Sequence, residues 1–182
     1  MFELKPSNLN GCFEIQPKVV DDARGRFVKV FHEQAFAAQG LETNFAEEYY
    51  SVSHKNVVRG LHFQLPPMDH VKMVYCVKGE VMDAVVDLRV GSPTYGHYAL
   101  FELSAAKANS IYIPKGIAHG FCARSDQSIM VYKVSTIYSP GHDKGILWNS
   151  VGIPWPSTGV ILSARDEELP TLEGFVSPFN YE

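Results

Sequence analysis

Cysteine is scarce in this 182-residue chain, and Cys12, Cys76 and Cys122 lie far apart. An odd count with no CxxC pair argues against a disulfide framework and against a structural zinc site. No apolar run exceeds about five residues, as in Met73–Val77, whereas a membrane-spanning helix needs about 20. The opening stretch MFELKPSNLNGCFEIQP is too polar for a secretory leader. Basic charge is also short: 16 Lys+Arg against 20 Asp+Glu leave a net charge of −4. That is no electrostatic footprint for a nucleic-acid binder. Internal repeats, low-complexity tracts and linkers are missing, and no Gly-rich loop follows a strand and opens a helix, which argues against a Rossmann or P-loop nucleotide site. The expectation is a reduced, soluble, cytoplasmic protein.

What the chain does have is 11 Pro and 14 Gly beside 11 Phe and 9 Tyr. Turn-formers and aromatics together point to many short strands. A chain of this length suits one domain and buries roughly 70% of its unfolded surface. Helical signals are few: His32–Gly40, which ends on a glycine stop, and a short turn near Ala105–Ala108. Strands are expected over Gly25–Phe31, Glu48–Ser53, Val57–Gln64, Val71–Val77, Val81–Leu88, Tyr95–Ser104, Ser110–Ile113, His119–Ala123 and Ile129–Tyr138. His54-Lys55-Asn56 reads as a turn, and Lys78-Gly79-Glu80 as a hairpin. From Trp148 onward the Pro-rich chain is expected to wrap the outside. Closely spaced strands of this kind make a sandwich or barrel rather than a βαβ fold.

Polar residues on inward strand faces are informative, because burying them is costly unless they are paired. Period two puts Lys72 on one face with Val74 and Cys76, Asp83 with Val81, Val85 and Asp87, and Tyr132 with Met130 and Val134. His62 lies between Leu61 and Phe63, and His119 follows the turn Pro114-Lys115-Gly116. Each has a plain structural alternative. A strand histidine is more often a satisfied core residue than a catalyst, Lys72 could be solvated on an edge, Asp83 and Asp87 could pair with Arg89 or Lys78, and strand tyrosines usually pack. Taken together, His, Lys, Asp and Tyr on adjacent strands could converge on one cavity, and a barrel mouth is a common small-molecule site.

At these residues the chain resembles the dTDP-4-dehydrorhamnose 3,5-epimerase family of nucleotide-sugar epimerases. The likeness runs from DARGRF at Asp22–Phe27 to LSARD at Leu162–Asp166. Between them stand VRGLHFQ (Val58–Gln64), KGEVMD (Lys78–Asp83), VDLR (Val86–Arg89), SPTYG (Ser92–Gly96), IPKGIAHGF (Ile113–Phe121), Tyr132-Lys133 and GILWN (Gly145–Asn149). The resemblance implies an all-β fold, a cupin-type jelly-roll barrel with a few short helices, as one domain over 1–182. It implies a homodimer that exchanges an N-terminal strand, and an isomerase that uses no cofactor and no metal. The second cupin element, PxGxxH, is present at Pro114, Gly116 and His119. The first metal element is absent, since His62 is followed by Phe63-Gln64.

The family's substrate is a nucleoside-diphosphate 4-keto-6-deoxy sugar on the way to deoxysugars of cell-surface polysaccharide. Its ketone acidifies the hydrogens on carbons 3 and 5, so inversion needs a base on one face, an acid on the other and a charge for the enolate oxygen. By resemblance, His62 is the base, Asp166 its orienting carboxylate, Lys72 the cation at the carbonyl, and Tyr132 the acid; Asp83 is a second candidate for the carboxylate from its position in the barrel. His119 is a further substrate contact. Arg24 and Arg59 match diphosphate contacts, Tyr138 a stacking surface for the base, and Phe27, Asp143 and Arg165 other binding positions. Arg24 and Phe27 are expected to reach the site from the partner of a dimer.

One single position and one three-residue segment depart from the family pattern. Lys29 stands where RGxFxE ends in Glu, and Glu47-Glu48-Tyr49 replaces Gln-Asp-Asn. A donor at Lys29 and an acceptor at Glu47 would suit cytosine as well as thymine, or the two residues could simply pair with each other. Tyr49 adds bulk and a hydroxyl near the sugar or phosphate and could confine inversion to one carbon. The competing functions are a ketoisomerase of similar sugars, a non-catalytic cupin that binds a sugar nucleotide, and a metal-dependent cupin oxygenase.

Overall fold

A computed structural model describes residues 2–156 and 158–181. The strands are β1 (Phe2–Pro6), β2 (Phe13–Pro17), β3 (Val19–Asp22), β4 (Gly25–Val28), β5 (Glu47–Ser53), β6 (Val58–Gln64), β7 (Lys72–Lys78), β8 (Glu80–Asp87), β9 (Tyr98–Ser104), β10 (Ser110–Ile113), β11 (Ile117–Ala123), β12 (Ser128–Val134) and β13 (Asp143–Gly145). Two short helices join them, α1 (Glu33–Ala37) and α2 (Ala164–Glu167). The all-β expectation holds. No helix among the described residues is long and apolar enough to cross a membrane.

Two antiparallel sheets face each other, one ordered β1-β2-β10-β7-β12-β5 and the other β13-β6-β11-β8-β9. Their inward residues share one core. Val74, Cys76, Ile111, Ile113 and Met130 come from the first sheet, and Val81, Val85, Leu103, Ile117 and Phe121 from the second. β8 is buried on both faces because its outer residues Met82, Ala84 and Val86 are covered too. The C-terminal segment covers them with Ile153, Trp155 and Phe179, which is the expected outer wrap. α1 does the same for the first sheet, setting Phe36 against Ile15, Met73 and Tyr112.

Several local expectations change. β7 and β8 do not form a hairpin: β7 pairs with β10 and β12, and β8 with β9 and β11. The single residue between them, Gly79 at φ 78°, carries the chain from one sheet to the other. A Cβ there would meet Ser125 Oγ and Ser128 Oγ. Both strands bury their inward residues only if the opposite sheet stands across from them, and this corner provides that. Ala105–Ala108 is a turn and not helix, ending at Ala108 in the left-handed region with φ 55°. The strand expected over Gly25–Phe31 ends at Val28 and, among the described residues, pairs only with β3, as an exposed ribbon. The strand expected over Ile129–Tyr138 ends at Val134. β1 and β2, which the strand reading passed over, alternate Phe2 and Leu4, then Phe13 and Ile15, on one face.

Candidate active site

A cavity of about 650 Å³ opens between the two sheets, and it collects most of the candidate residues. β6 brings Arg59 and His62, β7 brings Lys72, β11 brings His119, and β12 brings Tyr132. β5 supplies Glu47, Tyr49 and Ser51, three residues of one face, while Tyr138, Asp143, Arg165 and Asp166 come from the segments that follow β12.

Asp166 reaches His62 because the chain folds a short helix for it. Ser163 caps α2 and accepts a hydrogen bond from the Asp166 backbone N–H, the pattern of a capping residue and its N3 partner. The Asp166 carboxylate is thereby directed inward. Oδ1 lies 2.7 Å from His62 Nε2, and Oδ2 accepts from the Gly60 N–H at 3.2 Å. Burial pulls the Asp166 carboxyl upward, but His62, the Gly60 N–H and the Arg165 charge outweigh it and hold it below the usual carboxylate range. Gly60, at φ 124°, lets β6 lie against β11: a Cβ there would sit 2.6 Å from Gly120 Cα and 2.7 Å from the His119 carbonyl oxygen.

Asp83 does not hold His62. It faces the same interior as Val85, diagonal to His119 across the β8–β11 ladder, and its Oδ2 lies 2.8 Å from His119 Nε2. Both groups are fully enclosed, and burial drives each toward its neutral form: Asp83 is raised and His119 lowered. Asp87 belongs to neither pair. It accepts from Arg89, Ser92 and Thr94 and ties the loop after β8 together.

Lys72 is 8% exposed, lines the cavity and has no carboxylate within ion-pair distance among the described residues. Burial lowers its ammonium to about 8, resisted only at a distance by Asp143 and Asp83. On the same sheet, Tyr132 is 7% exposed, and its hydroxyl lies 3.0 Å from Ser51 Oγ. Burial pushes the phenol well above its ordinary range, so it keeps its proton. The His119 ring meets Tyr132 edge-on at 6.2 Å.

Around the mouth, Arg165 pairs with Asp143 at 2.8 Å, and Arg59 donates to Ser53 Oγ and the Val52 carbonyl. Glu47 Oε2 accepts from the Tyr138 N–H at 2.7 Å and so holds the rim loop that presents the Tyr138 ring. Among the described residues Glu47 forms no ion pair with Lys29. Arg24, Phe27 and Lys29 stand apart from this cavity: the Arg24 side chain is 90% exposed beside Asp22, Phe27 is 63% exposed and Lys29 is exposed.

Four polar lining residues carried no assignment from the sequence. Gln64 donates to the Met68 and Ile137 carbonyls and accepts from the Ser139 N–H, fixing the rim loop from below. His70 is pushed down to about 3 by burial and by Lys72, and its buried Nε2 has no hydrogen-bond partner among the described residues. Ser51 and Ser163 act on Tyr132 and Asp166 as described. Of these signals only the Ser-x-x-Asp spacing of Ser163 and Asp166 is local enough to read from sequence. Among the described residues no three His, Cys, Asp or Glu side chains gather as a metal-ligand set.

Comparison with known proteins adds what geometry alone does not name. The family model described as dTDP-4-dehydrorhamnose 3,5-epimerase matches residues 6–174. A dTDP-4-dehydrorhamnose 3,5-epimerase of Shigella flexneri is 44% identical over 154 residues, covering 83% of this chain and 85% of that one. A dTDP-4-dehydrorhamnose 3-epimerase of Streptomyces niveus is 41% identical over 168 residues, 91% of this chain and 81% of that one. Among solved structures, the dTDP-6-deoxy-D-glucose-3,5-epimerase of Legionella pneumophila in complex with dTDP-4-keto-L-rhamnose superposes with a TM-score of 0.95 at 31% identity, over 100% of both chains. The fold is therefore the expected cupin-type jelly roll. Sequence, architecture and cavity agree: this chain belongs to the dTDP-4-dehydrorhamnose 3,5-epimerase family and is an isomerase of the sugar-epimerase class.

Proposed function

We propose that this protein inverts carbons 3 and 5 of a dTDP-4-keto-6-deoxyhexose by successive proton transfers. The observation that carries the reading is the placement of base and acid on facing sheets. His62, held by Asp166, stands on the β6 wall, and protonated Tyr132 on the β12 wall, with the Lys72 ammonium beside it. His62 takes the hydrogen next to the ketone, the electron pair moves onto the carbonyl oxygen, and Lys72 stabilises the enolate charge. Tyr132 then delivers a proton from the other face and is reprotonated from solvent, to which His62 gives up the proton it took. No electron leaves or enters the sugar, so no redox cofactor is required.

Arg59 and Arg165 are suited to the diphosphate by their planar forks. The exposed ribbon of β3 and β4 would complete the site in a homodimer, bringing Arg24, Phe27 and Lys29 to the partner's cavity. Exposure of Phe27 and Arg24 away from their own cavity supports this arrangement. The base is read as thymine. Lys29 and Glu47 make cytosine the comparison to run, although one Glu47 oxygen is already held by the Tyr138 N–H. Turnover of the dTDP and CDP forms of 4-keto-6-deoxyglucose by the purified protein is the test. Preference for the dTDP form is expected. Turnover of the CDP form alone would overturn the nucleotide, and turnover of neither would overturn the reading.

A further inference from the structure

The strand β5 carries a feature that proton transfer as described does not use. Tyr49 is directly opposite Tyr132 in the β5–β12 register, and the two rings lie nearly parallel, with centroids 4.8 Å apart and planes at 15°. Ser51, the next residue of that face, holds the Tyr132 hydroxyl at 3.0 Å, and the His119 ring abuts Tyr132 edge-on. One residue thus fixes the tip of the phenol, one fixes its edge and one covers its face. Tyr49 itself is 41% exposed, so its ring serves as the outer cover of a buried partner.

We infer that Tyr49 is a positioning residue that holds the Tyr132 phenol against its own strand by stacking, and so sets how often the enolate is protonated on the inverting face. This rests on the epimerase reading above. A parallel offset pair of this kind is worth about 0.5–1.5 kcal/mol, or roughly three- to tenfold in an equilibrium. A phenol freed from the stack spends part of its time away from the enolate carbon. His62, whose captured hydrogen exchanges with solvent, then returns a solvent hydrogen to the face it came from. The chemical mark is isotopic: in deuterium oxide, substrate is recovered labelled but not inverted.

The experiment uses dTDP-4-keto-6-deoxyglucose in deuterium oxide, with the wild type, Tyr49→Phe and Tyr49→Leu. For Tyr49→Leu, kcat is expected to fall about three- to tenfold with KM little changed, matching the stack that is lost. The ratio of label in recovered, uninverted substrate to label in product is expected to rise by a similar factor. Tyr49→Phe keeps the ring and is expected to keep the label ratio of the wild type. If Tyr49→Leu does not fold, Tyr49→Thr, a strand-forming residue without a ring, carries the same expectation. A rise in KM with kcat and the label ratio unchanged would overturn the proposal, as would Tyr49→Phe behaving like Tyr49→Leu. Failure of the wild type to exchange label would instead overturn the epimerase reading, so the two failures are distinct.

Discussion

Replacing Lys72 with methionine should make the folded protein more stable and leave it inactive. The Lys72 ammonium sits in the cavity wall with no carboxylate within ion-pair distance among the described residues, and burial brings it from 10.5 to about 8. Each pH unit between the folded and unfolded values is worth about 1.4 kcal/mol, so keeping this charge costs the folded state about 3 kcal/mol. The sign follows from proton counting. Between pH 8 and 10.5 the unfolded chain holds the proton more tightly than the folded one, so stability rises with pH across that window. The cost is therefore complete below about pH 8 and gone above about 10.5. Methionine keeps the length of the side chain without the charge. Chemical denaturation at fixed protein concentration should show Lys72→Met more stable than wild type by about 3 kcal/mol at pH 7, with the gap closing toward pH 10.5. Equal stability at pH 7, or a gap that does not depend on pH, would refute the account of Lys72 as an unpaired buried charge. The same titration predicts that turnover falls as pH rises through about 8, where Lys72 loses the charge proposed to hold the enolate.

Other positions give further checks. Gly60→Ala places a Cβ 2.6 Å from Gly120 Cα at a φ of 124°, so it should lower the melting temperature by several degrees and abolish turnover together. Asp166→Asn keeps the shape of the side chain but removes the carboxylate charge beside His62. It should lower kcat by about 10²-fold or more while circular dichroism stays native. Phe36→Ala empties the centre of the aromatic cluster formed with Phe2 and Phe31, and should cost about 3–5 kcal/mol in denaturant unfolding.

How much of this was legible in sequence depends on how local each feature is. Period-two patterning placed Lys72, Asp83 and Tyr132 on inward faces, and they are inward. Asn56 and the turn at His54–Asn56 were legible because the left-handed conformation is a local preference of asparagine, and Asn56 has φ 68°. The join at Lys78-Gly79-Glu80 looked the same whether the chain turned back or crossed to the other sheet; only the partners of β7 and β8 decide between the two. Asp83 was a candidate for His62 because it lies inward, but which histidine it meets is set by the β8–β11 register. The Tyr49 stack and the Ser51 hydroxyl contact depend likewise on β5 lying beside β12, residues about 80 positions apart in sequence. Arg24, Phe27 and Lys29 do not line this chain's own cavity; the positions assigned to them from sequence presuppose a second copy, which the fold of one chain does not encode.

In the proposed mechanism His62 removes the hydrogen beside a sugar ketone and Tyr132 returns one from the facing sheet. Incubating dTDP-4-keto-6-deoxyglucose in deuterium oxide with wild type, His62→Ala and Tyr132→Phe tests it most directly, with magnetic resonance of carbons 3 and 5 as the readout. Label and inversion are expected with wild type, no label with His62→Ala, and label without inversion in the substrate recovered from Tyr132→Phe. Undiminished label with His62→Ala would contradict that mechanism.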